Sequence, residues 1–216
     1  MSKLKLVGMG PGSPEYITPI AKKLVKNAEL VIGAKRALDL FQDYITGETV
    51  LLTAKNVKEE IKKAVKAAQE KNVVILSTGD PGFSGLIRTL ISVAGKDFDV
   101  DIVPGVSSIQ VCAARLRMRW DTADLVSFHA DITNEKKADM VEFLKKGKPV
   151  ILLPDPNKFT PCDIASFLIG KGIPKETFVG ICENLTLENE KIITSTLGKI
   201  VEQKFDRLCV MVVGAN

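Results

Sequence analysis

Val73-Val74-Ile75-Leu76 is an unbroken apolar run of strand length. A strand with no polar alternation is buried on both faces, a condition met by parallel sheets sandwiched between helices. Shorter apolar runs recur at Leu30 to Ile32 and Val50 to Leu52, and runs broken by one charged residue at Leu4 to Val7, with Lys5, and Val100 to Val103, with Asp101. Helical patterns lie between these runs. From Asn56 to Glu70 the residues Val57, Ile61, Ala64, Val65 and Ala68 share one face and the lysines take the other. Thr18 followed by Pro19 has the form of an N-cap and first helical position. The first half therefore reads as an α/β domain with a mostly parallel sheet and helices on both faces.

Past Trp120 the alternation loosens. Strand patterns near Leu125 to Phe128 and Val150 to Leu153 flank a helix near Lys136 to Lys146, and Thr160-Pro161 opens another helix. Beyond Pro174 the runs Phe178 to Cys182, Lys191 to Thr194 and Leu208 to Val213 have little helix between them, which predicts hairpin-like or mixed pairing. The expected division is an N-terminal α/β domain over 1–117 and a C-terminal α+β domain over 118–216. Trp120 is expected in the core.

The 216 residues are 45% hydrophobic and 26% charged, which excludes disorder and collagen-like repeats. Residues 1–120 hold 18 Lys and Arg against 12 Asp and Glu, and the rest hold 12 against 14, so the basic excess is confined to the first half. That balance is too mild to argue for nucleic acid and reads as a solvated lysine surface, with an anionic ligand as the alternative. The four cysteines have no C-x-x-C spacing and His129 is the only histidine, which excludes the usual zinc frameworks and leaves the cysteines as small apolar fillers. No apolar run approaches membrane-spanning length and no signal segment is evident, so a reduced, cytoplasmic protein is expected.

Three glycine-bearing loops each follow an expected parallel strand, at 8–12, 78–82 and 104–108. Ligands of open α/β sheets bind beyond the carboxyl ends of the strands, so these loops are expected to converge. The first is not a dinucleotide fingerprint, because its helix signal waits until Thr18 and leaves no helix N-terminus for a pyrophosphate. None of the Gly-Lys pairs is followed by Ser or Thr, which excludes a triphosphate loop. Asp80 offers an acceptor for a ribose hydroxyl or an ammonium, or caps the following helix. Ser107 and Ser108 offer ligand hydroxyls or caps.

In order along the chain stand Val7-Gly8-Met9-Gly10-Pro11-Gly12-Ser13-Pro14, Gly79-Asp80-Pro81-Gly82-Phe83-Ser84, Val103-Pro104-Gly105-Val106-Ser107-Ser108 and Glu183-Asn184-Leu185-Thr186. This series resembles the tetrapyrrole methylase family over nearly the whole chain. The resemblance implies two α/β domains with the cofactor cleft between them, a mixed sheet in the second, and S-adenosyl-L-methionine as cofactor. Ser107-Ser108-Ile109-Gln110 and Ser127-Phe128-His129 are similar to the branch that methylates cobalt-precorrin-7 at C5 in cobalamin biosynthesis. That branch usually continues His-Gly-Arg, whereas this chain has His129-Ala130-Asp131.

Carried over by position, the resemblance implies cofactor contacts at Pro11, Gly79, Asp80, Phe83, Ser84, Ser107, Ser108, Leu153 and Leu185, and no metal. It implies a homodimer and, because 216 residues leave no room for one, a separate C15-methylating, decarboxylating partner. A macrocycle bearing carboxylates needs cations to orient it, and Arg115 and Arg117, with Arg119, stand just past the third loop; the alternative is helix capping and solvation. His129 is the candidate proton acceptor or donor at C5. Methyl transfer from a sulfonium disperses charge rather than creating it, so alignment carries the rate, with as much as ~7–11 kcal/mol available from positioning. The competing readings are diphthine synthase, a ribosomal RNA ribose methylase of the same fold, and an α/β ligand-binding module without catalysis. Few aromatic residues and the acidic second half argue against RNA.

Overall fold

The computed structural model describes residues 2–95 and 98–214. The chain divides into two compact units, Met1–Ser107 and Ser108–Asn216.

The first unit runs β1 (Leu4–Gly8), a 3-10 turn (Pro14–Tyr16), α1 (Pro19–Lys26), β2 (Leu30–Ala34), α2 (Lys35–Leu40), β3 (Glu48–Leu52), α3 (Val57–Ala67), β4 (Val73–Ser77), α4 (Ile87–Ala94) and β5 (Asp101–Val103). The sheet order is β3-β2-β4-β1-β5 and every pairing is parallel, with Leu6 level with Ile75 on one side and Ile102 on the other. The strands' period of two sorts their side chains onto two faces. Val7, Val31, Val74 and Leu76 pack with Ala21, Val25, Ala37 and Phe41 of the α1 and α2 layer. Leu4, Leu6, Ile32, Val73 and Ile75 pack with Ile61, Ala64 and Leu90 of the α3 and α4 layer. Helix α1 starts where its sequence directs: the Thr18 side chain accepts the Ala21 amide at 3.3 Å and Pro19 occupies the first turn, where its missing N–H costs nothing.

The second unit runs α5 (Ser108–Arg115), β6 (Asp124–Ser127), α6 (Asn134–Lys145), β7 (Val150–Leu153), α7 (Pro161–Gly170), β8 (Phe178–Glu183), β9 (Lys191–Thr196), α8 (Leu197–Ile200) and β10 (Cys209–Val213). Its sheet order is β6-β7-β10-β8-β9. Only β6 and β7 pair in parallel; β10 runs antiparallel to β7 and β8, and β8 to β9. The expected mixed sheet is thus observed. Helix α7 opens on a reciprocal cap, in which Thr160 Oγ1 accepts the Asp163 amide and Asp163 Oδ2 accepts the Thr160 amide at 2.9 Å.

Helix α5 lies with the second unit, whereas the sequence pattern predicts it in the first, with the division at 117/118. Its packing explains this: Cys112 Sγ lies 3.2 Å from Cys182 Sγ on β8, and a side chain at Gly180 of the same strand would collide with Leu116 just past the helix. Cys112, Cys182 and Cys209 are buried thiols, and burial, with nearby acidic groups, pushes Cys209 up to about 12. Trp120 departs from expectation: it is 45% exposed rather than part of a core.

Candidate functional site

Strands β4, β1 and β5 are neighbours, so the loops leaving their carboxyl ends are neighbours too. The first and second are joined by a short bridge in which the Gly10 amide donates to the Gly79 carbonyl at 3.3 Å and the Gly79 amide to the Gly10 carbonyl at 3.0 Å. The third is tied to the second by Asp80: its Oδ2 accepts the Gly105 amide at 3.2 Å while its Oδ1 accepts the Gly82 amide at 2.7 Å. Asp80 is therefore a clamp between loops. It does not cap the next helix, because α4 begins only at Ile87 and has no side-chain cap.

The backbones approach closely enough to require glycine. A Cβ at Gly8 would lie 2.6 Å from Gly105 Cα and 2.7 Å from the Gly79 carbonyl oxygen. Gly79 itself adopts φ +63°, and a Cβ there would meet nothing nearer than Ser107 Cα at 3.9 Å. The loops thus pack backbone against backbone at Gly8 and Gly105, while Gly79 stays open on its Cβ side. Ser84 holds φ +60° without being glycine, a strained conformation of the sort that clusters at ligand sites. Pro11 is buried, Phe83 half-buried and Ser84 exposed. Beside the second loop, a cavity of about 320 Å³ is lined by Ala34, Leu52, Val57, Leu76, Thr78 and Ser84.

One residue the sequence reading passed over reaches this edge. Arg36, on α2, donates from its guanidinium to the Pro11 carbonyl at 2.7 Å. It is half-buried, and that burial lowers its pKa from the usual arginine value with no carboxylate acting in opposition.

In the second unit, Ser108 begins α5, Leu153 ends β7 and is buried, and Leu185 is buried in the turn after β8. That turn is held by polar groups. The Thr186 amide donates to Glu190 Oε2 at 2.6 Å, and Arg115 Nε donates to Glu190 Oε1 at 2.6 Å. The Arg115 guanidinium, and then the Thr186 amide, hold the Glu190 carboxyl below the usual carboxylate range. Asn184 and Thr186 both adopt positive φ, +50° and +69°, and Asn184 Nδ2 donates to Asp206 Oδ2 at 2.5 Å. Glu190 and Asp206 lie in polar stretches with no periodic signal, so nothing in the sequence marked them.

Arg115, Arg117 and Arg119 line one cavity of about 660 Å³ together with Met118, Phe178 and Ile192. Arg119 pairs with Asp121 at 2.9 Å and Arg115 with Glu190, while Arg117 has no carboxylate partner among the described residues and holds φ +53°. His129 follows β6 at the surface. Desolvation by its packing lowers the imidazole from its ordinary 6.5, against the opposing pull of the Asp155 carboxylate and a hydrogen bond to the Pro154 backbone. Asp131, where the resembling branch has arginine, pairs with Lys136, whose Nζ also donates to the Ser127 carbonyl at 2.8 Å. Among the described residues no group of three or more His, Cys, Asp or Glu could hold a metal ion, and no helix is long and apolar enough to cross a membrane.

The family model of the Tetrapyrrole (Corrin/Porphyrin) Methylases matches residues 3–201. A protein of Methanocaldococcus jannaschii named as a probable cobalt-precorrin-7 C(5)-methyltransferase is 41% identical over 209 residues, which cover 96% of this chain and 95% of that protein. The crystal structure of a cobalamin biosynthesis precorrin-6Y methylase from Archaeoglobus fulgidus matches with a TM-score of 0.74 and 26% identity, over 99% of this chain and 98% of that one. A uroporphyrin-III C-methyl transferase from Thermus thermophilus, solved with S-adenosyl homocysteine, has a TM-score of 0.79 at 21% identity, over 98% and 96% of the two chains.

Proposed function

The chain belongs to the tetrapyrrole (corrin/porphyrin) methylases, and from that premise we propose that it is an S-adenosylmethionine-dependent C-methyltransferase that methylates cobalt-precorrin-7 at C5 in cobalamin biosynthesis. The observation that carries the reading is the convergence of the three glycine loops at one sheet edge, with Asp80 clamping the second to the third. The likeness to a C5-methyltransferase along nearly its whole length supports the choice of substrate.

The loops fit the cofactor. Gly8 and Gly105 let the loops close on one another, Gly79 leaves its Cβ side open, the loop backbone can pair with a carboxylate, an ammonium and ribose hydroxyls, and half-buried Phe83 supplies apolar surface. In this reading Pro11, Gly79, Asp80, Phe83, Ser84 and Ser107 hold S-adenosylmethionine, which when bound supplies an electrophilic methyl group on sulfonium sulfur. Ser108, Leu153 and Leu185 enter as cofactor contacts on the motif resemblance alone. The rigid, backbone-built cradle fixes the approach angle, the dominant requirement of an in-line displacement. Arg115 and Arg117 orient the carboxylates of the macrocycle, and their shared cavity supports the assignment.

His129 takes up the proton that the methylated centre loses. Its lowered pKa keeps the imidazole neutral, hence able to accept, at pH 7. The neutral fraction declines only as pH falls through a value below 6.5, so kcat/KM is expected to drop on the acid side and to level off toward neutral pH. A pH-rate profile checks this, and His129→Gln should lose that acid limb while leaving cofactor affinity unchanged. The reading further takes the protein to be a cytoplasmic homodimer, with C15 methylation and decarboxylation left to a separate partner.

Calorimetric titration with S-adenosylmethionine and S-adenosylhomocysteine, with NAD as control, tests the cofactor. Incubation with cobalt-precorrin-7 tests the substrate by a mass gain of one methyl group. Binding of both cofactor forms but not NAD, with methyl transfer to C5, is the expected result. Absence of binding with the tetrapyrrole present overturns it.

A further inference from the structure

An arginine loses solvation when it is half-buried, and folded proteins normally offset that loss with a carboxylate. Arg36 has no such offset. Of its five N–H donors, which form a planar fork, the bond to the Pro11 carbonyl at 2.7 Å is the one pairing made with the protein among the described residues. The nearest acidic side chain along its own short helix, Asp39, is already bound to Lys35, Nζ to Oδ2 at 2.9 Å. Burial accordingly lowers the guanidinium's pKa unopposed. Arginine stays charged at neutral pH, so the site carries a fixed, partly desolvated cation.

Its position gives that cation a use. Strand β2 pairs with β4, so α2 leaves the sheet at the same carboxyl edge from which the second loop leaves. Pro11, to which Arg36 is bonded, is the residue after Gly10, the first loop's partner in the bridge to Gly79. The guanidinium is therefore pinned to the glycine loops while keeping most of its fork unspent. A planar fork of this kind matches a carboxylate through paired hydrogen bonds.

We infer that Arg36 is an anion-binding residue of this site that takes a carboxylate of a bound ligand. The inference rests on the proposed function, and two ligands could bring the group: the methionyl carboxylate of the cofactor or an acidic side chain of the tetrapyrrole. Neither Arg36 nor its contact with Pro11 follows from the motif series.

The test compares wild type with Arg36→Gln and Arg36→Lys against three ligands. S-adenosylhomocysteine carries the amino-acid carboxylate, 5′-methylthioadenosine has the same nucleoside without it, and cobalt-precorrin-7 reports the substrate through KM and kcat. Loss of a charge-assisted carboxylate contact corresponds to roughly 10- to 100-fold in affinity. If the cofactor supplies the carboxylate, Arg36→Gln weakens S-adenosylhomocysteine by that factor and leaves 5′-methylthioadenosine within about 3-fold. If the substrate supplies it, KM for the tetrapyrrole rises by that factor while kcat and both nucleoside affinities hold. Arg36→Lys restores part of either loss, since it keeps the charge but not the fork. Equal weakening of both nucleosides assigns Arg36 to loop structure alone and overturns the inference, as does no change with any ligand. A wild type that binds none of the three overturns the proposed function, and with it this inference, and is told apart from the other outcomes without reference to the variants.

Discussion

Gly105→Ala is expected to abolish measurable cofactor binding and to lower the unfolding free energy by about 3 kcal/mol or more, the upper range for overpacking a site that cannot relax. The new Cβ would lie 2.8 Å from Gly8 Cα and closer still to the Gly79 carbonyl oxygen. All of these are backbone atoms, so no rotamer change relieves the overlap, and one of the three segments must move. Moving Gly79 pulls on its bridge to Gly10; moving Gly105 breaks its bond to Asp80; moving Gly8 shifts the end of β1, which is paired on both sides by β4 and β5. Each option opens the cradle, so affinity for S-adenosylhomocysteine should fall by more than roughly 100-fold, a loss of about 2.7 kcal/mol. Gly170→Ala provides the control. It stands at the end of α7 with nothing within 4 Å of its would-be Cβ, and is expected to be neutral or to stabilise by up to about 1 kcal/mol. Denaturant unfolding and calorimetry on both variants check the pair. Wild-type affinity in Gly105→Ala would show that the close approach of the loops is dispensable.

The convergence of the loops is legible in the sequence and the role of Arg36 is not, for a physical reason. Apolar runs ending in glycine mark parallel strands and the loops at their carboxyl ends, and both signals are local. Val73 to Leu76 is sufficient to place β4 in the middle of a sheet, and the rule for open α/β sheets brings the loops to one edge. Arg36 depends on strand order. Its partner Pro11 is 25 residues away, and the two meet at the sheet's carboxyl edge across β4, which lies between β2 and β1. The helix that carries it has six residues, too few to show a periodicity. The four residues of α8 and the 3-10 turn at Pro14–Tyr16 are too short to leave any pattern.

The placement of α5 was missed for the opposite reason. Its sequence continues the strand-helix rhythm of the first half, and only tertiary contacts on β8, at Cys182 and Gly180, decide which sheet it covers. At Trp120 a general preference for burying large aromatics was overridden by a turn just before β6. In the second unit, the Glu183-Asn184-Leu185-Thr186 series was legible as a motif. The carboxylates that hold it in shape, Glu190 and Asp206, were not, because they act through backbone and amide groups brought together by the turn itself.

Asp80→Ala is expected to weaken S-adenosylhomocysteine by roughly 100-fold and to cost about 1–3 kcal/mol of stability. The substitution removes both acceptors of the clamp and leaves the Gly82 and Gly105 amides without their partner. Asp80→Asn separates the clamp from the charge. Its amide oxygen can still accept one of the two N–H groups, but its NH2 then faces the other, donor against donor, so at most half of the clamp is rebuilt. If Asp80 acts only by holding the loops, 5′-methylthioadenosine and S-adenosylhomocysteine weaken in the same proportion in both variants, since both need the nucleoside cradle. If its carboxylate also receives the cofactor's ammonium, S-adenosylhomocysteine loses a further roughly 10-fold that the ammonium-free nucleoside does not, and Asp80→Asn shows that excess as fully as Asp80→Ala. The free lone pairs on Oδ1 and Oδ2 allow the second role alongside the first, because a carboxylate that accepts two backbone amides has not exhausted its acceptor sites. Unchanged affinity for both nucleosides in Asp80→Ala would remove the clamp from the cofactor site and with it the observation on which the methyltransferase reading stands.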